Sequence, residues 1–161
     1  MGVPYETTTV TRELDANPGH LIRRAHQISV SLFLEECRDA AITPIQYAVL
    51  AVLARRPDLD QITLANQVAL DRSTLGDVAD RMEKKGLIRR IPNPQDRRQK
   101  LLTLTDEGAA ALQTTEPAVG RVGQRILAPL SAEEQKLFLT LLGKIVDHNN
   151  DSSRAPFKDA L

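Results

Sequence analysis

No apolar stretch in the 161-residue sequence approaches the roughly 20 residues that a bilayer-spanning helix needs. The first residues, Met1 to Val10, are polar and Thr-rich where a secretory signal would carry an apolar core. A membrane role is therefore not expected, and the cytoplasm is the expected compartment. Cys37 is the one cysteine, so no internal disulfide can form, in keeping with a reducing environment. Net charge is also absent: 21 Lys and Arg balance 21 Asp and Glu, which removes any whole-chain argument for nucleic acid. The sequence has no internal repeat and no low-complexity tract. It lacks a nucleophile elbow, a phosphate-cradling glycine loop and any His, Cys and carboxylate set at metal-ligand spacing. No catalytic residue, cofactor or metal is expected, and an enzyme is disfavoured.

What is present is unevenly distributed. Residues 61 to 105 hold nine Lys or Arg against five acids, so this centre is about +4 and the flanks together about −4. A DNA reader in a neutral scaffold has this pattern, because only the docking face must neutralise phosphates. A solvated charged surface has it too, so charge alone leaves both readings open.

Periodicity and caps sharpen the choice. Gly19 to about Arg38 reads as an amphipathic helix, with Leu21, Ile22, Ala25, Ile28, Leu32 and Phe33 at three- and four-residue steps. Thr43-Pro44-Ile45-Gln46 opens a second helix with a capping box and a proline at the first helical position, and Pro57 closes it. Asp58-Leu59-Asp60 reads as a turn. A short helix from Ile62 to about Ala69 follows, carrying Ile62, Leu64, Ala65 and Val68. Asp71 then caps a helix through Lys85 with Leu75, Val78, Ala79 and Met82 inward. Gly86 after Lys84-Lys85 is a stop.

Leu87 to Ile91 and Lys100 to Leu104 read as two strands around a basic tip, Pro92 to Gln99. Thr105-Asp106-Glu107 opens a long helix to about Leu127, with a bend suggested by Pro117, Gly120 and Gly123, and Pro129 beyond its end. Ser131 to Glu134 is a capping box for a last helix through Val146, with Leu137, Phe138, Leu141, Leu142 and Ile145 on one face. The tail after His148 reads as polar and frayed.

The expected fold is mainly α with a small two-stranded β wing: a winged helix-turn-helix core over 43–105, flanked by helices at 19–40 and 106–147, in one domain, 1–161. The terminal helices carry more apolar face than this small centre can cover. Burial against a second copy, giving a homodimer, is one solution, and an intramolecular bundle is the other.

In a helix-turn-helix the second helix enters the major groove with its N-terminal residues at base edges. Here those are Arg72, Ser73 and Thr74. Arg72 can address guanine or phosphate, while the two hydroxyls serve DNA or merely start the helix. The tip Asp96-Arg97-Arg98 is placed to reach an adjacent minor groove, with Asp96 fixing one guanidinium and leaving the other free to insert.

Asp71-Arg72-Ser73-Thr74-Leu75, Asp80 to Ile88, Asn93 to Arg98 and Leu104-Thr105-Asp106-Glu107-Gly108 together resemble the MarR family of regulators. The likeness runs through nearly the whole chain and is most specific at its centre. It implies a dimeric winged-helix repressor with a recognition helix at Asp71 to Lys85 and wing arginines at Arg97 and Arg98. It further implies a pseudo-palindromic duplex operator and release by small aromatic acids. The sequence departs from the family at Gly76 and Asp77, where many members carry a hydroxyl and a basic residue. Asp77 is left to accept a hydrogen bond from cytosine or to brace Arg81.

Pro18 to Ser29, Leu34 to Cys37 and Thr43 to Tyr47 are similar to MarR-type regulators of aromatic-acid catabolism. An aromatic carboxylate needs an apolar slot with convergent cations or donors, and His20, Arg23, Arg24, His26, Ser29 and Tyr47 near Phe33 are the available groups. Two further readings stand beside this one. Cys37 could sense oxidants if its thiol were acidic and accessible, although Glu35, Glu36 and Asp39 disfavour the thiolate. A winged helix can also serve as a protein-interaction module without DNA, a role with no need of Arg97 and Arg98 above Arg72.

Overall fold

Side-chain caps fix most element boundaries. The computed structural model describes residues 14–159, so Met1 to Val10 and the last two residues lie outside the described residues. Helix α1 (Pro18–Glu36) starts where the Asn17 side chain accepts the His20 N–H at 3.1 Å and proline takes the first turn. A 3₁₀ turn, Arg38–Ala40, follows it. Helix α2 (Pro44–Arg55) opens on the expected capping box: Thr43 N–H donates to Gln46 Oε1 at 3.2 Å, and Gln46 N–H to Thr43 Oγ1 at 3.3 Å. Asp60 caps α3 (Gln61–Gln67), accepting from Ile62 and Thr63 N–H at 2.9 and 3.0 Å. Asp71 caps α4 (Arg72–Lys84). Gly86 sits at φ 73°, the left-handed stop read from the sequence.

Strands β2 (Ile88–Pro92) and β3 (Lys100–Leu104) form the wing, with Ile88 opposite Leu104 and Pro92 opposite Lys100. One expectation fails here. Asp58-Leu59-Asp60 is not only a turn: Leu59–Asp60 is strand β1, antiparallel to β3, and the sheet has three strands in the order β1-β3-β2. Asp58 at φ 60° turns the chain, and the two residues after it satisfy the edge of β3 that a two-stranded wing would leave unpaired.

Helix α5 (Asp106–Leu127) runs through Pro117 without ending, and α6 (Ala132–His148) opens on the Ser131/Glu134 capping box. Gly108 is where α5 crosses the start of the wing. A Cβ there would lie 2.0 Å from the Leu87 carbonyl oxygen, so only glycine fits.

Val49, Leu50, Leu53, Leu64, Leu75, Met82, Ile88 and Leu102 form the main core under the helix-turn-helix. Each such side chain contributes about 1.5–3 kcal/mol by leaving water. Ile62, expected on the inward face of α3, is 52% exposed, whereas Leu64 and Ala65 are buried. A smaller cluster of Phe33, Cys37, Ala118 and Val122 joins α1 to α5. It is reinforced by Glu36, which accepts from Arg121 at 2.8 Å and Arg125 at 2.9 Å.

The terminal helices remain largely uncovered. Leu21, Ile22, Ile28 and Leu34 of α1 are about half exposed, and α6 buries none of its residues. The tail, by contrast, is not frayed. A 3₁₀ turn at Asn150–Ser152 is followed by a segment in which Asn150 and Phe157 exchange two hydrogen bonds and Lys158 N–H donates to Asn66 O at 3.1 Å. Its polar side chains find partners on the helix-turn-helix that no local pattern in the tail discloses. No helix among the described residues is long and apolar enough to cross a membrane.

Candidate nucleic-acid interface

The turn between α3 and α4 is held by Gln61, whose Nε2 donates to Arg72 O at 3.3 Å. At the start of α4, Asp71 gathers three donors from its own helix: Thr74 N–H at 2.9 Å, Ser73 Oγ at 2.6 Å and Thr74 Oγ1 at 2.7 Å. The bond from Ser73, then those from Thr74, hold the Asp71 carboxyl well below the usual carboxylate range, so it stays ionised. Both hydroxyl protons are thereby committed to the cap. To donate to DNA, Ser73 or Thr74 would have to leave Asp71, whereas Arg72 is exposed and unencumbered by the cap.

The wing tip is shaped by a chain of short-range bonds. Asn93 Nδ2 donates to Gln99 Oε1 at 2.6 Å, Gln95 N–H to Asn93 Oδ1 at 2.9 Å, and Gln99 N–H to Asp96 O at 2.9 Å. Asp96 does organise the loop, but through the backbone: its Oδ1 accepts Arg98 N–H at 3.0 Å instead of the expected guanidinium. A carboxylate two residues before an N–H closes an Asx turn more readily than it restrains a long exposed arginine. Arg97 and Arg98 are both exposed.

Helix and wing bound one cleft of about 420 Å³, lined by Arg72 from α4, Asp60 from β1, Gln61 and Ile62 from α3, and Asp96, Arg98, Gln99 and Lys100 from the wing. The expected residues Arg72, Asp96 and Arg98 thus converge, and Asp60, Gln61, Ile62, Gln99 and Lys100 are additions. Asp77 and Arg81 are both exposed on α4, and among the described residues no hydrogen bond or ion pair joins them.

The bracing falls instead to a residue outside the expected set. Arg90, on β2, pairs with Asp80 at 2.6 Å and with Glu83, whose other oxygen takes the Arg90 N–H at 3.0 Å. Strand and recognition helix are thereby clamped, which fixes the wing arginines relative to Arg72. A signal was available: Asp80 and Glu83 share a face at i,i+3, and a basic residue interrupts a strand immediately after that helix.

The residues considered for an aromatic acid divide in two. Phe33 is buried and Tyr47 half-buried, with ring centroids 6.1 Å apart, and Ser29 is half-buried one turn before Phe33. His26 is exposed on the same side of α1. His20 and Arg24 lie about 140° and 180° around the helix from Phe33 at 100° per residue, and Arg23 bonds to Gln27 at 2.8 Å. Within one chain the seven do not close around a single slot. Cys37 is buried in the same small cluster, and burial pushes its thiol up, against thiolate chemistry.

Two short helices, the second presenting its N-terminus beside a three-stranded wing, with arginines on both, define a winged helix-turn-helix DNA-binding protein. The comparisons agree. The MarR family model matches residues 42–100. The chain is 34% identical over 128 residues to the transcriptional regulator HosA of Escherichia coli O111:H-, covering 80% of this chain and 93% of that protein. Among solved structures it is similar to the transcriptional repressor CouR bound to a 23-mer DNA duplex (30% identity, TM-score 0.78, 83% of this chain and 95% of that one). It is equally similar in fold to BpsR of Bordetella bronchiseptica, whose DNA binding is regulated by 6-hydroxynicotinic acid (29% identity, TM-score 0.78, 83% and 95%). The protein belongs to the MarR family and is a DNA-binding transcriptional regulator. Its relatives are regulators rather than enzymes.

Proposed function

We propose that this protein is a repressor that binds a pseudo-palindromic operator as a homodimer and lets go when a small aromatic acid or its derivative binds. The observation that carries the reading is the convergence of Arg72 and Arg98 on one cleft between recognition helix and wing. A helix end seated in the major groove and an arginine tip over the neighbouring minor groove need that arrangement. In this reading Arg72 reads base edges, Arg97 and Arg98 enter the minor groove, Ser73, Thr74, Asp77 and Arg81 border the bases, and Asp96 shapes the tip.

The half-exposed Leu and Ile side chains of α1 and the largely uncovered α6 support pairing with a second copy, since apolar surface of this extent is ordinarily buried. Dimerisation also bears on the effector. His20, Arg23 and Arg24, turned away from the Phe33–Tyr47 side, then line the seam between copies, where they would meet a carboxylate whose ring lies against the partner's apolar groups. The regulation of BpsR by 6-hydroxynicotinic acid supports an aromatic carboxylate as the ligand class. Sensing through Cys37 is disfavoured by its burial.

Thermal unfolding with and without benzoate, hydroxycinnamate and hydroxynicotinate, and with their coenzyme A thioesters, tests the effector. An authentic ligand at one hundred times its Kd should add about 2.7 kcal/mol to stability. The same compound should dissociate the protein from its operator in an anisotropy titration. A compound that stabilises the protein yet leaves DNA bound contradicts release as its role.

A further inference from the structure

We propose that the folded C-terminal tail is a third DNA-contacting element, in which Arg154 supplies a cation to the backbone phosphates beside the N-terminus of the recognition helix. The inference rests on the DNA-docking reading above and adds to it a segment distant in sequence from helix and wing.

The tail is fixed in place by several independent contacts. Asn150 Nδ2 donates to Phe157 O at 3.0 Å and Phe157 N–H returns a bond to Asn150 Oδ1 at 2.8 Å, closing the segment into a loop. Lys158 N–H then bonds the Asn66 carbonyl at the end of α3. Asp159 is directed at Gln67 and at Arg56, 3.3 and 3.9 Å away. Between these anchors the chain carries Arg154 to α4, where its Nη2 lies 3.4 Å from Asp71 Oδ2.

Charge gives this placement its consequence. Asp71 is a permanent carboxylate at the end of the helix that must approach phosphates, and it would repel them. Arg154 offsets that charge. The Arg154 side chain is 90% exposed and its contact with Asp71 is long, so its remaining N–H groups face outward. Asp71 already holds Ser73 and Thr74 and does not require Arg154 for the cap. A cation that the cap does not need, fixed beside the groove-entering end of a helix, is suited to a phosphate wall of that groove.

The test uses the full-length protein and the duplex that the wild type recovers from a random-sequence library. Affinity is measured over a salt series for wild type, Arg154→Gln and Arg154→Lys. Glutamine keeps a hydrogen bond to Asp71 and removes the charge, whereas lysine keeps the charge. With Gln the slope of log affinity against log salt should be shallower by about 0.9, so the wild type's advantage shrinks about 3.5-fold between 50 and 200 mM salt. The Lys variant should keep the wild-type slope, and the loss should be equal on recovered and random duplexes, as for a phosphate contact. If wild type binds and the Gln variant matches its slope, the tail proposal falls and the docking reading stands. If wild type recovers no duplex, both fall together.

Discussion

Replacing Leu141 with Glu is expected to turn the proposed dimer into monomers and to weaken operator binding by two to four orders of magnitude. Leu141 is half exposed on α6, in the face that also carries Leu137, Phe138, Leu142 and Ile145, and α6 buries nothing within its own chain. A carboxylate there costs the isolated chain little. In a dimer it would be an unpaired charge inside an apolar seam, which is strongly disfavoured. DNA affinity falls because two linked half-sites are replaced by one, and linkage of that kind contributes about 10²–10⁴ in apparent affinity. Sedimentation velocity and anisotropy on the same preparation read both effects, and circular dichroism checks that the winged helix persists. A variant that stays dimeric with undiminished affinity would place the seam elsewhere.

The second large effect is expected from removing both wing arginines. Arg97 and Arg98 are exposed at a tip whose shape is set by Asn93, Asp96 and Gln99, so the double change to Ala leaves the loop bonds intact. What disappears is the two positive charges that the docking proposal sets at the minor groove. The salt slope should become shallower by about 1.8, and the wild type's advantage should shrink about 12-fold between 50 and 200 mM salt. Sequence preference should be retained, since base reading is assigned to Arg72 on α4. Unchanged salt dependence would mean that the tip does not approach DNA.

How much of this was legible beforehand follows the range of each interaction. Thr43, Asp71, Gly86 and Ser131 announce helix ends because a cap is a bond among neighbours three or four residues apart, and all four act as read. Leu75, Val78, Ala79 and Met82 are buried as their spacing requires, since an amphipathic stripe is a property of one helix. Strand β1 was missed because its pairing spans some forty residues and its own two residues carry no strand signal. The docked tail and the Arg90 clamp were missed for the same reason. Each is a polar contact between elements whose separation only the fold removes.

The candidate site shows a subtler limit. Residue type identified Arg72, Ser73 and Thr74 as a group, but not that Asp71 would take both hydroxyl protons and leave Arg72 as the open reader. On α1 the information was present: the spacing of His20 and Arg24 against Ser29 and Phe33 already separates two faces at 100° per residue. Grouping them by chemistry alone concealed it.

A hydroxyl-radical footprint on the recovered operator tests the whole arrangement most directly. Two copies pairing through α1 and α6, each offering Arg72 and Arg97 to adjacent grooves of one duplex, should protect two patches about 34–36 Å apart, on one side of the helix. A lone protected patch, or two on opposite sides, would contradict it.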